Sequence, residues 1–392
     1  MGKVEMRRIA LALVPAFLLV AGCTNSSTGA ASSASAPAAT PTPTVSEALV
    51  VMDPPDGAVD IAPDATITVR AEHGTLEKVV LSGGASLPGT LSPDRTSWTA
   101  TGLFAGTRYV LSARAEDRHG LSTLQTTSFK TVVPTATAKV KMAPVQDETV
   151  GIGMPIMLTL TKPTADRAAV ERRLTVESSA PVTGSWYWLS DTSLHYRPQT
   201  YWPANSAITV RMSLRGVPFG NGVYGEQDRV VSFRTGDAMI STVDVAGHQM
   251  TVTQNGQPLR TIPVTTGKPG QATRAGIKII SEKYVDKRMD AATTGVDSTD
   301  PDYYVVDVKY AMRVTNTGEF VHAAPWSVGS QGNDNVSHGC TGMSTENARW
   351  LFEISRRGDV VEYVNSDRPL EPGNGITDWN VPWDQWMQGS AL

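Results

Sequence analysis

Residues 318–322 read Gly-Glu-Phe-Val-His, and residues 335–344 read Asn-Val-Ser-His-Gly-Cys-Thr-Gly-Met-Ser. Cys340 is one of two cysteines in the 392-residue chain. The other, Cys23, closes an export signal considered below, so the globular part holds one thiol, with His322 and His338 near it in sequence. A lone Cys beside candidate His partners in an exported protein is a nucleophile, a metal ligand or an inert core thiol. The neighbouring residues favour the first. The thiolate is the attacking form, so another group must take the proton and support the anion. His338 precedes Cys340 by two positions, and on extended chain residues i and i+2 share a side. His322 lies on a different segment that folding must bring near. Gly339 and Gly342 allow backbone N–H groups to approach a substrate closely, as an oxyanion hole requires.

The order His322, fourteen residues (323–336), then Ser337-His338-Gly339-Cys340 resembles the signature of the L,D-transpeptidases with a YkuD-type catalytic domain. The resemblance implies that His322 is the base paired with Cys340. It implies that the next residue orients the ring through its carbonyl; that residue is Ala323, where Ser is common. His338, Gly339 and Cys340 would shape the oxyanion site. Ala323, Ser337 and Gly342 count among the substrate-side positions. Gly342 departs from the usual Asn or Arg, which removes a polar side-chain contact but leaves the nucleophile. The resemblance also places Met289 and Tyr304 in a donor pocket and Trp326 in a His-x-x-x-Trp position beside it. Ordinary packing is the competing reading for these three.

Other chemistries fit less well. A zinc site from His322, His338 and Cys340 is chemically possible, but no HExxH or CxxC spacing supports it. A sortase needs an Arg after its Cys and lacks the Ser-His-Gly-Cys block. A non-enzymatic cell-wall-binding lipoprotein is the alternative from another class, and it has no reason to keep a thiol among His and Gly. Neither a metal nor an organic cofactor is implied. Charged residues make up 18% of the chain and the net charge is −4, which gives no reason to expect nucleic acid as a partner.

Working outward, residues 1–23 read as a lipoprotein signal peptide. Lys3, Arg7 and Arg8 precede the apolar run Ile9 to Val20, and Leu19-Val20-Ala21-Gly22-Cys23 resembles a bacterial lipobox. A lipid on Cys23 would anchor the chain at the cell membrane, facing the cell wall. Residues 24–46 form a flexible tether rich in Ser, Ala, Thr and Pro. Residues 47–134 show short alternating runs, such as 65–70 and 109–115, punctuated by Gly and Pro. Residues 135–236 repeat the pattern, with a short helix expected over 164–174. Trp186, Trp188 and Tyr196 alternate with polar residues, and core packing is preferred over a sugar platform. His195 shows no partner signal.

A catalytic domain is expected over 237–365, with Asn255-Gly256 as a hairpin turn. Residues 284–304 read as a long polar loop, a lid over Cys340. A helix capped by Ser344 follows, with Glu346 in its first turn and Gly358 beyond its end. The Trp-rich extension 366–392 is expected to dock on the catalytic domain, because exposed Trp clusters are unfavourable in water.

The fold class is mainly β: two immunoglobulin-like sandwich modules, then a β-rich catalytic domain with a short helix after Cys340. Tandem modules before such a domain also resemble the actinobacterial lipoprotein L,D-transpeptidases. The function implied is peptidoglycan cross-linking between the third residues of stem peptides, with release of D-Ala. Carbapenem-type β-lactams would act as inhibitors. A variant activity, attaching proteins to peptidoglycan, stays open.

Overall fold

The computed structural model describes residues 44–83, 86–300 and 302–392. The signal peptide, Cys23 and nearly all of the tether lie outside the described residues. No helix among the described residues is long and apolar enough to cross a membrane.

The C-terminal third is built on two sheets. In the first, five strands run in the order Gln257–Pro263, Gln249–Gln254, Met239–Asp244, Val360–Val364 and Gly276–Ile279. Asn255 and Gly256 close the hairpin between the first two of these, at φ +51° and +79°, the left-handed pair that matches strand twist. The second sheet orders Glu282–Asp290, Val305–Arg313, Phe320–Ala323 and Thr341–Met343. Val243, Met250, Val252, Ile262, Met312, Val321 and Met343 fill the core between them. The helix Thr345–Ile354 covers that core with Ala348 and Leu351, and the Ser344 side chain accepts from Asn347 N–H at its start.

Residues 284–304 are not one long loop. Glu282–Asp290 is a strand paired antiparallel with Val305–Arg313, and only 291–304 leaves the ladder. The polar faces of that hairpin hid it: only one residue of its first strand, Met289, is buried, so no apolar alternation marks it.

The N-terminal part forms two sandwiches. In the first, Ile67, Val69, Leu76, Leu111 and Phe129 pack between two four-stranded sheets. In the second, Trp186, Trp188 and Tyr196 lie in the core with Trp202, Ile208 and Phe233, as packing residues. The helix expected over 164–174 is shorter, Arg167–Glu171, because Asp166 caps it late. The second core continues into Ile279 and Val360 of the catalytic sheet.

The tryptophans of the C-terminal extension dock elsewhere than expected. They sit on the second sandwich, around the buried Arg197 guanidinium, at 4.9 Å (Trp379), 5.3 Å (Trp383) and 4.7 Å (Trp386) from the ring centroids. A cation attracts aromatic faces, and the indole N–H groups also find acceptors there. Trp386 donates to Ser185 O at 2.9 Å and Trp379 to Gly153 O at 2.7 Å. His195 gains a partner that its sequence context did not show, Asp378 at 2.9 Å. Only the first part of the extension, through Glu371, Asn374 and Asn380, bonds to the catalytic domain.

Candidate active site

Phe320–Ala323 pairs in parallel with Thr341–Met343, in the register Val321↔Thr341 and His322↔Gly342. Alternation then puts His322, Gly342 and Cys340 on one face of the sheet. His322 and Cys340 both line a cavity of about 240 Å³. Tyr304, Met289, Trp326, Ser337, His338 and Gly342 line the same cavity, so the structure brings these sequence candidates together. Ala323 is not in the lining; its contribution is the carbonyl that accepts from His322 Nδ1 at 2.8 Å. A carbonyl only accepts, so Nδ1 carries the proton and Nε2 keeps a free lone pair.

Neither group is charged at rest. Cys340 is 6% exposed and His322 5%. Burial pushes the thiol up to about 12, with Glu319 adding to the rise while the Phe320 N–H, Lys278 and Arg313 oppose it. Burial likewise lowers the imidazole below its ordinary 6.5, partly offset by the Ala323 carbonyl. The thiol donates to Gly318 O at 3.5 Å rather than to the imidazole. The strand Thr341–Met343 stands between Cys340 and the following helix, so the helix dipole does not act at the sulfur directly.

The loop carrying Cys340 is fixed by its own polar atoms. The Ser337 hydroxyl donates to Cys340 O at 2.6 Å and accepts from Gly339 N–H at 3.0 Å. Gly339, at φ +117°, therefore supplies the turn and not a free donor. Its carbonyl accepts from Thr273 Oγ1 at 2.8 Å. A side chain at Gly342 has no room: a Cβ there would lie 2.9 Å from Ala324 Cβ and 3.1 Å from Thr265 Cγ2. The His338 ring stacks on Tyr304, with centroids 4.8 Å apart. Trp326 is 59% exposed at the cavity mouth, its ring 6.1 Å from His322.

Three features were not singled out from sequence. Asp302, at the end of the 291–304 loop, accepts from Lys268 Nζ and from Gln271 Nε2, each at 2.7 Å, and lies 3.5 Å from His338 Nε2. Lys278, at 0% exposure, bonds Glu319 Oε2 at 2.6 Å. Arg274 holds the other Glu319 oxygen at 3.0 Å. The readable signal was a lysine inside the apolar run Ile277-Lys278-Ile279-Ile280. Among the described residues no cluster of His, Cys, Asp and Glu fit for a metal is found.

Comparison with known proteins gives consistent matches. The L,D-transpeptidase catalytic domain (YkuD) profile matches residues 238–362, and the bacterial Ig domain profile matches 58–218. The chain is 38% identical to L,D-transpeptidase 2 of Mycobacterium tuberculosis over 340 residues, covering 86% of this chain and 83% of that protein. It is 37% identical to L,D-transpeptidase 5 of the same organism, covering 86% of this chain and 76% of that one. A solved structure of the LD transpeptidase LdtMt1 in complex with imipenem superposes with a TM-score of 0.52 and 35% identity, over 59% of this chain and all of that one.

Proposed function

The chain belongs to the L,D-transpeptidases with a YkuD-type catalytic domain, and from that premise we propose that it cross-links peptidoglycan between the third residues of neighbouring stem peptides through Cys340. The observation that carries the reading is the cavity shared by a buried thiol and an imidazole whose Nδ1 is tied to Ala323 O. The free Nε2 is left as the proton acceptor.

Cys340 Sγ attacks the carbonyl between the third residue and the terminal D-Ala of a donor tetrapeptide. The thiol proton passes to His322 Nε2 as the carbon–sulfur bond forms. With the Gly339 N–H taken by Ser337, the backbone N–H groups of Cys340 and His338 are the donors left for the developing oxyanion. The carbon–nitrogen bond then breaks, and His322 returns the proton to the departing D-Ala amine, leaving a thioester. The amine of an acceptor's third residue attacks that thioester, loses its proton to His322, and the sulfur leaves as the thiol. A tightly buried nucleophile suits this sequence, because water is kept from the thioester between the two steps. Met289 and Tyr304 form the apolar wall for the donor stem. A β-lactam of the carbapenem class presents a strained carbonyl to the same sulfur, as the imipenem complex of the similar structure suggests.

Incubation with a stem tetrapeptide, followed by intact mass measurement, tests the reading. The expected adduct is the tetrapeptide less D-Ala, lost in Cys340→Ala. An adduct that persists in Cys340→Ala overturns it. The lipobox-like stretch Leu19-Val20-Ala21-Gly22-Cys23 supports a lipid anchor at the outer face of the membrane, and Cys23→Ala is expected to release the protein from the membrane fraction; retention there would reject the anchor.

A further inference from the structure

A buried ion pair is built on the segment whose backbone touches the reacting sulfur. Glu319 is 4% exposed and Lys278 fully buried, their charged atoms 2.6 Å apart. The two backbone groups that touch Cys340 Sγ flank Glu319 on either side: Gly318 O accepts from the thiol, and the Phe320 N–H bonds the sulfur. Glu319 also reaches the other strand of the site, since a Cβ on Gly339 would lie 3.5 Å from its Oε1. Lys278 Nζ sits 3.7 Å from the centroid of the Tyr363 ring, and Tyr363 OH bonds the hydroxyl of Thr341, the residue after Cys340. Glu319 thus borders both segments that hold the sulfur, and Lys278 reaches them through Glu319 on one side and Tyr363 on the other.

Stability does not account for the pair. A buried ion pair carries a desolvation cost that its Coulomb attraction barely offsets, and apolar residues of similar volume often serve as well. We propose that Lys278 and Glu319 are opposed positioning residues for Cys340: the buried ammonium favours the sulfur anion, the buried carboxylate disfavours it, and their balance sets how readily the thiol loses its proton. The pair acts through the sulfur and touches no substrate. The inference rests on Cys340 being the nucleophile, but its readout is the thiol alone.

The other charged and titratable groups around the sulfur leave this balance intact. Arg313 adds a weaker positive influence from the neighbouring strand. Tyr304 and Tyr363 are held neutral by burial. His322, across the cavity, is neutral near pH 7 by burial. Arg274 lies on the far side of Glu319 and shares its charge with Glu371. Burial also lowers Lys278 to about 8, with Glu319 holding it up. The ammonium supporting the sulfur is therefore itself lost on moderate alkalinisation.

The test is the rate of iodoacetamide alkylation of Cys340 from pH 6 to 10, in the whole protein, without peptidoglycan. Lys278→Met is expected to move the rate profile to higher pH by about 1 unit, and so slow alkylation about tenfold at fixed pH. Glu319→Gln is expected to move it to lower pH. The wild-type profile should flatten near pH 8, where Lys278 deprotonates, and the flattening should vanish in Lys278→Met. Lys278→Met leaves one buried Glu319 oxygen without its partner, Arg274 holding only the other, and unfolding for that reason alone must be controlled for. The double variant with Glu319→Gln keeps the packing without charge, and its profile is then compared with that of Glu319→Gln at the acid end, near pH 6, where Lys278 is most fully charged once Glu319 no longer holds its proton. A double variant slower than Glu319→Gln supports the proposal, and equal profiles overturn it. Displacement of both single variants in one direction also overturns it, since a merely structural pair would act that way. Loss of the peptidoglycan reading would appear instead as a missing thioester with these opposed shifts intact.

Discussion

Cys340 and His322 share a cavity, yet the thiol is held far above its ordinary range and the imidazole below its own. A resting thiolate–imidazolium pair is therefore disfavoured, and proton transfer accompanies attack. The acid limb of donor acylation should lie below pH 6.5, because a buried imidazole stays neutral and basic to lower pH. His322→Ala should lower the acylation rate by about 10²–10⁴ and abolish that limb. His338→Ala should cost rate but keep the limb, since its ring packs on Tyr304 and borders Asp302. Loss of the acid limb in His338→Ala alone would reverse the two roles. At this scale His322 and Cys340 were legible because the motif spacing is specific. Lys278 was not: a single lysine in an apolar run says that something must pair with it, but only the fold shows that the partner is Glu319, 41 positions away.

Between residues and domains stands the hairpin that carries the loop 291–304. Its inner strand buries Val308, Ala311 and Met312, while the outer strand, with Met289 alone buried, is held chiefly by the ladder Glu282↔Arg313 to Asp290↔Val305. Among its described contacts, the loop is fastened where the Asp302 carboxylate meets Lys268 and Gln271 and where Tyr304 stacks on His338. The hydrogen bond from Lys268 leads the lowering of the Asp302 pKa, against an opposing desolvation, so it stays charged at neutral pH. Exposed ion pairs are screened by water and contribute little, so this clasp holds weakly and can open for substrate. Asp302→Ala should speed hydrogen exchange of the 291–304 amides severalfold and change KM more than kcat; unchanged exchange would show that the loop is held elsewhere. The same scale explains what sequence reading missed. The helix after Cys340 was legible from Ser344, Ala348 and Leu351. The strand Val360–Val364 was not, although it is the parallel neighbour of Met239–Asp244, because its partner lies 120 residues earlier in register.

Across the whole molecule the catalytic sheet and the second sandwich meet through backbone. Gly151 N–H donates to Arg357 O at 2.8 Å and Gly153 N–H to Gly358 O at 2.9 Å. A Cβ on Gly151 would fall 2.1 Å from Asp359 N, so glycine is required there by close approach. Beside this seam Asp359 is buried, with one carboxylate oxygen lacking a partner among the described residues. Its other oxygen accepts from Arg356 N–H at 2.8 Å. Burial raises its pKa from 3.8 to about 7, outweighing the pull of that hydrogen bond and of the Arg356 and Lys283 charges. The sign follows. Between about pH 4 and 7 the folded chain binds a proton that the unfolded chain has released, so stability falls as pH rises through that window. Above pH 7 the folded state holds a buried carboxylate at a cost. Asp359→Asn keeps the acceptor oxygen and removes that charge. It is expected to raise Tm by a few degrees at pH 8 and to change it little at pH 5. An equal effect at both pH values would mean that the carboxylate is not titrating at the seam. The two domains would then be joined there by the Gly151 and Gly153 hydrogen bonds and the shared core of Ile279 and Val360, with no contribution from the charge of Asp359.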